Sequence, residues 1–248
     1  MKILTIGDVV ARQGCDCLRH ILPGLKRELG AKLTIVNGEN SAVGNGILPG
    51  SAQFIFDSGA DVITLGNHTW NRLQIADYLD DCPYTLGNHG LRRREIYPML
   101  EENEFLLRPA NYHPSAPGRG SVLLDMGAVQ VGIISLLGAA FMEPIANPFD
   151  AADREVHRLK EAGAHIILID FHAEATSEKL AMGYYLDGRV SALWGTHTHV
   201  PTADERVYPK GTGYITDLGM TGPIESVLGV ESAQSVESFL GGLPGRYR

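Results

Sequence analysis

Two histidines two residues apart, His197 and His199, follow a β-like run at residues 189–194. If that run is a strand, alternation sends both imidazoles the same way. Two neutral imidazoles converging on one point suit a borderline transition metal. Other apolar runs end in residues of similar chemistry: Asp8 after 2–6, Glu39 and Asn40 after 33–36, Asn67 and His68 after 61–65, and His172 after 165–170. Carboxylate oxygens mixed with imidazole nitrogens suit Fe, Mn or Zn rather than Ca or Mg alone. Asp8, Glu39, Asn40, Asn67, His172, His197 and His199 are too many ligands for one tetrahedral ion. They suit two ions sharing a carboxylate. Such a pair, about 3.5–4 Å apart, clamps the attacking and leaving oxygens of a phosphoryl displacement. Each residue also has an ordinary reading. Asp8 can cap a helix, Glu39 and Asn40 can form a turn beside Gly38, and His172 can be a core histidine. The common position at strand ends favours the joint reading.

The elements that must position these residues read as β-α-β-α-β over the first 65 residues: strands at 2–6, 33–36 and 61–65, helices at 17–29 and 51–58. That order predicts a mostly parallel sheet covered by helices. Loops at the carboxyl ends of such strands are a usual place for chemistry. Residues 121–125 and 129–135 read as a hairpin turned at 126–128. A helix at 149–162, a strand at 165–170, a helix opening at Thr176, a strand at 214–217 and a helix at 231–240 follow. No linker divides the chain, so a single domain over 1–248 is expected. An internal repeat interrupts it: Thr64–His68 recurs as Thr85–His89, 21 residues later. The segment at 82–102 reads as a local duplication. Its Asn88 and His89 are a second candidate for the part played by Asn67 and His68, but Pro83 weakens a central strand there.

The 248 residues carry a net charge of −8, which disfavours non-specific binding to nucleic acid or anionic membrane. No apolar run is long enough to span a membrane. Three cysteines, Cys15, Cys17 and Cys82, with no export signal, suggest reduced thiols and a cytoplasmic location. Cys15 and Cys17 read as ordinary helix residues rather than a soft metal site. Arg92, Arg93 and Arg94 read as a solvated helix face rather than a phosphate grip.

Taken together, Gly7-Asp8-Val9-Val10, Asn37–Asn40, Gly66–Trp70, Asp170–Lys179 and Gly195–Asp204 resemble the calcineurin-like metallophosphoesterases. More narrowly they resemble the YmdB-like bacterial phosphodiesterases, over nearly the whole chain. The resemblance implies a four-layer α/β/β/α sandwich with two mixed sheets. It implies two transition-metal ions, Fe first, with Mn or Zn as alternatives. Asp8, Glu39, Asn40 and His199 would hold one ion and Asn67, His172 and His197 the other, with Glu39 bridging. A metal-bridging hydroxide would attack phosphorus. His68 would contact the phosphate and act as general acid. Asn40 would take the ligand place that a His two residues after Asp8 fills in the wider superfamily; here that place is Val10. Asn40 is also a candidate substrate contact. Asp170 and Glu174 are candidates to orient a ligand histidine from behind, although Glu174 can equally cap the helix that follows. The implied substrate is a small phosphodiester, a 2′,3′-cyclic nucleotide such as 2′,3′-cAMP, and the implied assembly a dimer or tetramer. Two departures stand out: Ala11-Arg12-Gln13 where the family has Gly at the first of these, and the insertion at 82–102. A phosphomonoesterase or nucleotidase using the same metals, and a non-enzymatic regulatory protein stabilised by metal, are the alternatives.

Overall fold

The computed structural model describes residues 1–42, 45–70 and 96–241. The second copy of the repeat, with Asn88 and His89, and Arg92 to Arg94 lie outside the described residues.

Strands β1 (Ile3–Ile6), β2 (Leu33–Asn37), β3 (Val62–Thr64) and β4 (Leu106–Leu107) form one sheet in that order, each pair parallel. The second sheet has the order β5-β6-β7-β8-β10-β9. Its strands are β5 (Ser121–Asp125), β6 (Gln130–Leu137), β7 (Ile166–His172), β8 (Ala192–Thr196), β9 (Arg206–Val207) and β10 (Gly213–Ile215). Here β6, β7, β8 and β10 run parallel, with β5 and β9 antiparallel at the two edges. The antiparallel pairing expected of both sheets is therefore confined to the second among the described residues. Every connection within the first is a crossover, which returns the chain in the same direction.

Strand alternation builds the layers. In β2, Leu33 and Ile35 pack between the sheets with Leu168 of β7 and Trp194 of β8. Val36 faces the other way, onto Leu18 and Leu22 of α1 (Ala11–Leu29) and Ile55 of α2 (Pro49–Asp57). In β7, Ile167 and Ile169 face outward onto Val156 and Leu159 of α4 (Pro148–Glu161) and Met182 of α5 (Thr176–Leu186). Helix, sheet, sheet, helix is the four-layer order. A short α3 (Tyr97–Glu102) precedes β4, and α6 (Ser232–Phe239) lies near the end of the described chain. Helix α1 begins at Ala11, about two turns before Leu18, the first of the periodic apolar residues. Cys15 is buried on it and Cys17 is exposed, so the two thiols do not share a site. Among the described residues no helix is long and apolar enough to cross a membrane.

Candidate metal centre

Parallel strands deliver their carboxyl ends to one edge. Asp8 lies two residues past β1, Glu39 and Asn40 past β2, and Asn67 and His68 in a short 3₁₀ turn (Asn67–Trp70) past β3. From the second sheet, His172 is the last residue of β7, and His197 and His199 follow β8. Asp8, Glu39 and His172 are fully buried.

Glu39 is the hub. Its Oε1 lies 3.0 Å from His172 Nε2, 3.1 Å from Asn40 Nδ2 and 3.2 Å from His68 Nδ1. Its Oε2 accepts the backbone N–H of His68 at 3.0 Å. On one side, Asn67 Oδ1 and His197 Nδ1 each approach His172 Nε2 to 3.0 Å. On the other, Asn40 Nδ2 lies 3.1 Å from His199 Nε2, and Asp8 Oδ1 is 3.9 Å from that same nitrogen. Glu39, His172 and His197 present one ligand atom each within 4.8 Å of one another. The structure thus brings Asp8, Glu39, Asn40, Asn67, His68, His172, His197 and His199 together. Asn40 faces Glu39 and His199 with its amide nitrogen, and its Oδ1 is 2.9 Å from His68 Nδ1. To ligate an ion it must turn its amide over and present the oxygen.

Alternation along β8 does not aim the two histidines. The strand ends at Thr196, and both residues lie in the loop beyond it with positive φ, 101° at His197 and 65° at His199. A non-glycine residue there costs on the order of 1–3 kcal/mol and persists only where its surroundings hold it. Two sets of contacts hold it. Glu174 Oε2 lies 3.0 Å from His197 Nε2, and Asp8 Oδ2 accepts the His197 N–H at 3.1 Å. Between the histidines, Asp217 Oδ2 accepts the Thr198 hydroxyl at 2.7 Å and its N–H at 3.2 Å. The same oxygen meets Lys179 Nζ at 2.7 Å, in an ion pair with essentially no exposure.

Asp170 is tied to His172 through a third residue. Its carboxylate accepts Thr196 Oγ1 at 2.7 Å, Thr64 Oγ1 at 2.5 Å and Asn37 Nδ2 at 3.1 Å. The Thr196 hydroxyl is committed to Asp170, so it accepts from His172 Nδ1–H, 2.9 Å away. That fixes the tautomer and turns Nε2 toward Glu39. Asn37, Thr64, Thr196, Lys179 and Asp217 had no role assigned from sequence. For Asn37, Thr64 and Thr196 the available signal was a polar residue in an otherwise apolar buried strand.

Burial pushes Asp8 up to about 7, with the Glu39 charge adding and His172 opposing. Burial also opposes ionisation of Glu39, but the charge and hydrogen bond of His172 hold it well below the usual carboxylate range. Burial would lower His172, yet Glu39, then Asp8 and Asp170, raise it to about 9. Burial and the charge of His172 press His197 down to about 3. Three buried carboxylates, Glu39, Asp8 and Asp170, therefore lean on one imidazolium for neutralisation. Asp8 Oδ1 is buried with no hydrogen-bond donor, a costly state for an anion. These residues fit a cation. Asp8→Asn is accordingly expected to raise the melting temperature of the metal-free protein, by about 2–4 °C per kcal/mol regained. It should also lower the metal bound per chain. Calorimetry and elemental analysis check both; a variant that melts lower yet keeps its metal contradicts the assignment.

The two facing sheets with a buried Asp, Glu, Asn and His cluster at one edge define a metallophosphoesterase-type fold. The YmdB-like protein family model matches residues 4–86 and 82–248, and the chain belongs to that family. The break between the two matches falls in the repeated segment. A 2′,3′-cyclic-nucleotide 2′-phosphodiesterase of Bacillus subtilis (strain 168) is 42% identical over 247 residues, covering 100% of this chain and 85% of that protein. The crystal structure of a hypothetical protein from Thermus thermophilus matches with a TM-score of 0.84 at 40% identity, covering 100% of this chain and 88% of the other. That of a novel phosphatase from Mycoplasma pneumoniae also matches at 0.84, with 32% identity and coverage of 100% and 82%.

Proposed function

We propose that this chain is a dinuclear-metal phosphodiesterase acting on cyclic nucleotides, 2′,3′-cyclic ones above all. It is an enzyme of the phosphoester-hydrolase class with a small phosphoester substrate, and we read it as cytoplasmic. The observation that carries the reading is the arrangement around Glu39: Asp8, Asn40 and His199 on one side, Asn67, His172 and His197 on the other. Those two sets would hold one ion each, with Glu39 shared. Iron is the first choice, manganese and zinc the others. The ions, when bound, ease deprotonation of a water and neutralise charge on the phosphoryl oxygens.

The chain's own groups do the rest. Asp170 and Thr196 keep a proton on His172 Nδ1, so Nε2 stays a ligand. Glu174 stands in the same relation to His197, taking Nε2–H and leaving Nδ1 for the site. His68 Nδ1 lies 3.2 Å from Glu39 Oε1, which leaves Nε2 as the nitrogen for substrate. Water adds to phosphorus, the bond to the 2′-oxygen breaks, and His68 Nε2–H gives its proton to that oxygen. The product is the nucleoside 3′-phosphate.

His68→Ala is expected to keep both ions and lose about 10²–10⁴-fold in kcat on 2′,3′-cAMP. Full activity with both ions bound refutes the general-acid role. Wild-type protein with two ions that hydrolyses nucleoside monophosphates but no cyclic nucleotide is a nucleotidase instead. One with no turnover on any phosphoester supports a regulatory role.

A further inference from the structure

Phe141 is 92% exposed and sits at φ 63° on the loop after β6. The site's own edge carries this loop. Leu137, the last residue of β6, is paired with His172 in the register of β6 and β7, and the Gly138 N–H donates to the His172 carbonyl at 2.9 Å. The loop is held at both feet. Asn111 Nδ2 donates to Leu137 O at 2.7 Å and to Ala146 O at 3.0 Å. Its first turn is gripped by the Glu178 carboxylate, which accepts the N–H groups of Ala139 at 2.9 Å and Ala140 at 3.2 Å. Glu178 lies in the first turn of α5, four residues after Glu174, the residue against His197. The backbone strain at Phe141 therefore has built support on both sides, yet among the described residues nothing covers the ring it presents. Tyr184 and Tyr185 are also exposed, but they lie in the last turn of α5, toward the opposite edge.

We propose that Phe141 is a specificity-determining residue: its ring stacks on the nucleobase of the substrate whose phosphate lies at the Glu39 cluster. The inference rests on the cyclic-nucleotide reading above and deepens it. An aromatic platform tolerates every base, because each has a π-face, while a base-free phosphodiester gains nothing from it. A flat ring beside a site of buried charges also separates two tasks. The cluster sees the phosphate and the loop sees the base.

The test compares wild type, Phe141→Ala and Phe141→Trp on 2′,3′-cAMP and on ethylene phosphate, the same five-membered cyclic diester without a nucleoside. Phe141→Ala is expected to lose about ten-fold in kcat/KM on 2′,3′-cAMP, mostly through KM, the size of one base–aromatic stack. Its rate on ethylene phosphate should be unchanged, and Phe141→Trp should restore the nucleotide rate. Equal losses on both substrates, or none on the nucleotide, overturn the proposal. Binding of 3′-AMP and of inorganic phosphate, measured by calorimetry, separates this inference from the reading beneath it. If wild type turns over no cyclic nucleotide but Phe141→Ala weakens 3′-AMP and not phosphate, the stacking role stands and the substrate reading falls. If wild type is active and Phe141→Ala binds 3′-AMP normally, the reading stands and the stacking role falls. Sedimentation of the same variants covers the other occupant: an assembly that dissociates in Phe141→Ala, with normal 3′-AMP binding, places the ring at an interface between copies and overturns the proposal.

Discussion

Gly66→Ala is expected to abolish metal loading and activity while leaving the rest of the fold recognisable. Gly66 lies between β3 and the turn carrying Asn67 and His68. A Cβ added there would come inside 3.0 Å of His172 Cδ2 and Cγ and of Glu39 Oε2. Neither neighbour can give way cheaply. Both side chains have no exposure. His172 is held through Thr196 and Glu39 through the His68 N–H, so displacing either breaks a hydrogen bond of the cluster. Overpacking of this kind costs about 1–3 kcal/mol in stability. The loss of function should be larger, because the methyl group enters the space between the shared carboxylate and its imidazole. A displacement of about 1 Å costs on the order of 10²-fold in rate. Metal content per chain and turnover of 2′,3′-cAMP are the measurements. Gly24→Ala in α1 is the control, since a methyl group there meets nothing within 4 Å. It should stabilise by roughly 0.5–1 kcal/mol with normal metal content. A Gly66→Ala protein that loads two ions would show that the cluster is looser than its contacts imply.

The strand ends were legible in the sequence because each couples an apolar run to a sudden polar residue. Asp8, Glu39, Asn67 and His172 fall where such runs stop, and parallel pairing then carries them to one edge. What holds them was less legible. Asp170 meets Asn37 across 133 residues of chain, and only the facing of two sheets brings them together. Strand β4 has two residues, too few for any period to show, and exists because β3 offers it a partner. The positive φ at His197 and His199 carries no residue-type signature, so alternation along β8 suggested a direction that the loop geometry replaces. Nothing in the sequence marks Phe141, since exposure is a property of the fold. Lys179 sat in a recognisable motif, yet a lysine in a helix opening reads as a surface charge until its complete burial is seen.

That burial makes Lys179→Met the second large effect. The Lys179 ammonium has one carboxylate partner, Asp217, whose Oδ2 also fixes Thr198 and whose Oδ1 accepts the Gly219 N–H at 2.8 Å. The lysine stem lies against Gly195, where an added Cβ would come inside 3.0 Å of its Cδ and Cε and, closer still, of the Thr216 carbonyl oxygen. Methionine keeps most of that packing and removes the charge, so the variant isolates the ion pair. Removing one partner of a buried pair leaves the other charge uncompensated, at a cost of about 3–5 kcal/mol. For a chain of this length that is on the order of 10 °C in melting temperature. The functional consequence follows from position. Without the ammonium, Asp217 loses the cation that positions its Oδ2 under the Thr198 N–H and hydroxyl. The turn between His197 and His199 then loses the contact that keeps both in their strained conformation. Metal affinity should fall on both sides of Glu39 at once, unlike a single-ligand variant such as Asn67→Ala, which should weaken one. Lys179→Met/Asp217→Asn is expected to regain most of the stability, because no charge stays buried alone, with only part of the metal affinity, because an amide accepts less strongly than a carboxylate. Thermal melts and metal titrations on the three proteins separate these terms. If the single variant binds both ions like wild type, the pair supports the fold alone, and the strain at His197 and His199 is held by Glu174 and Asp8 instead.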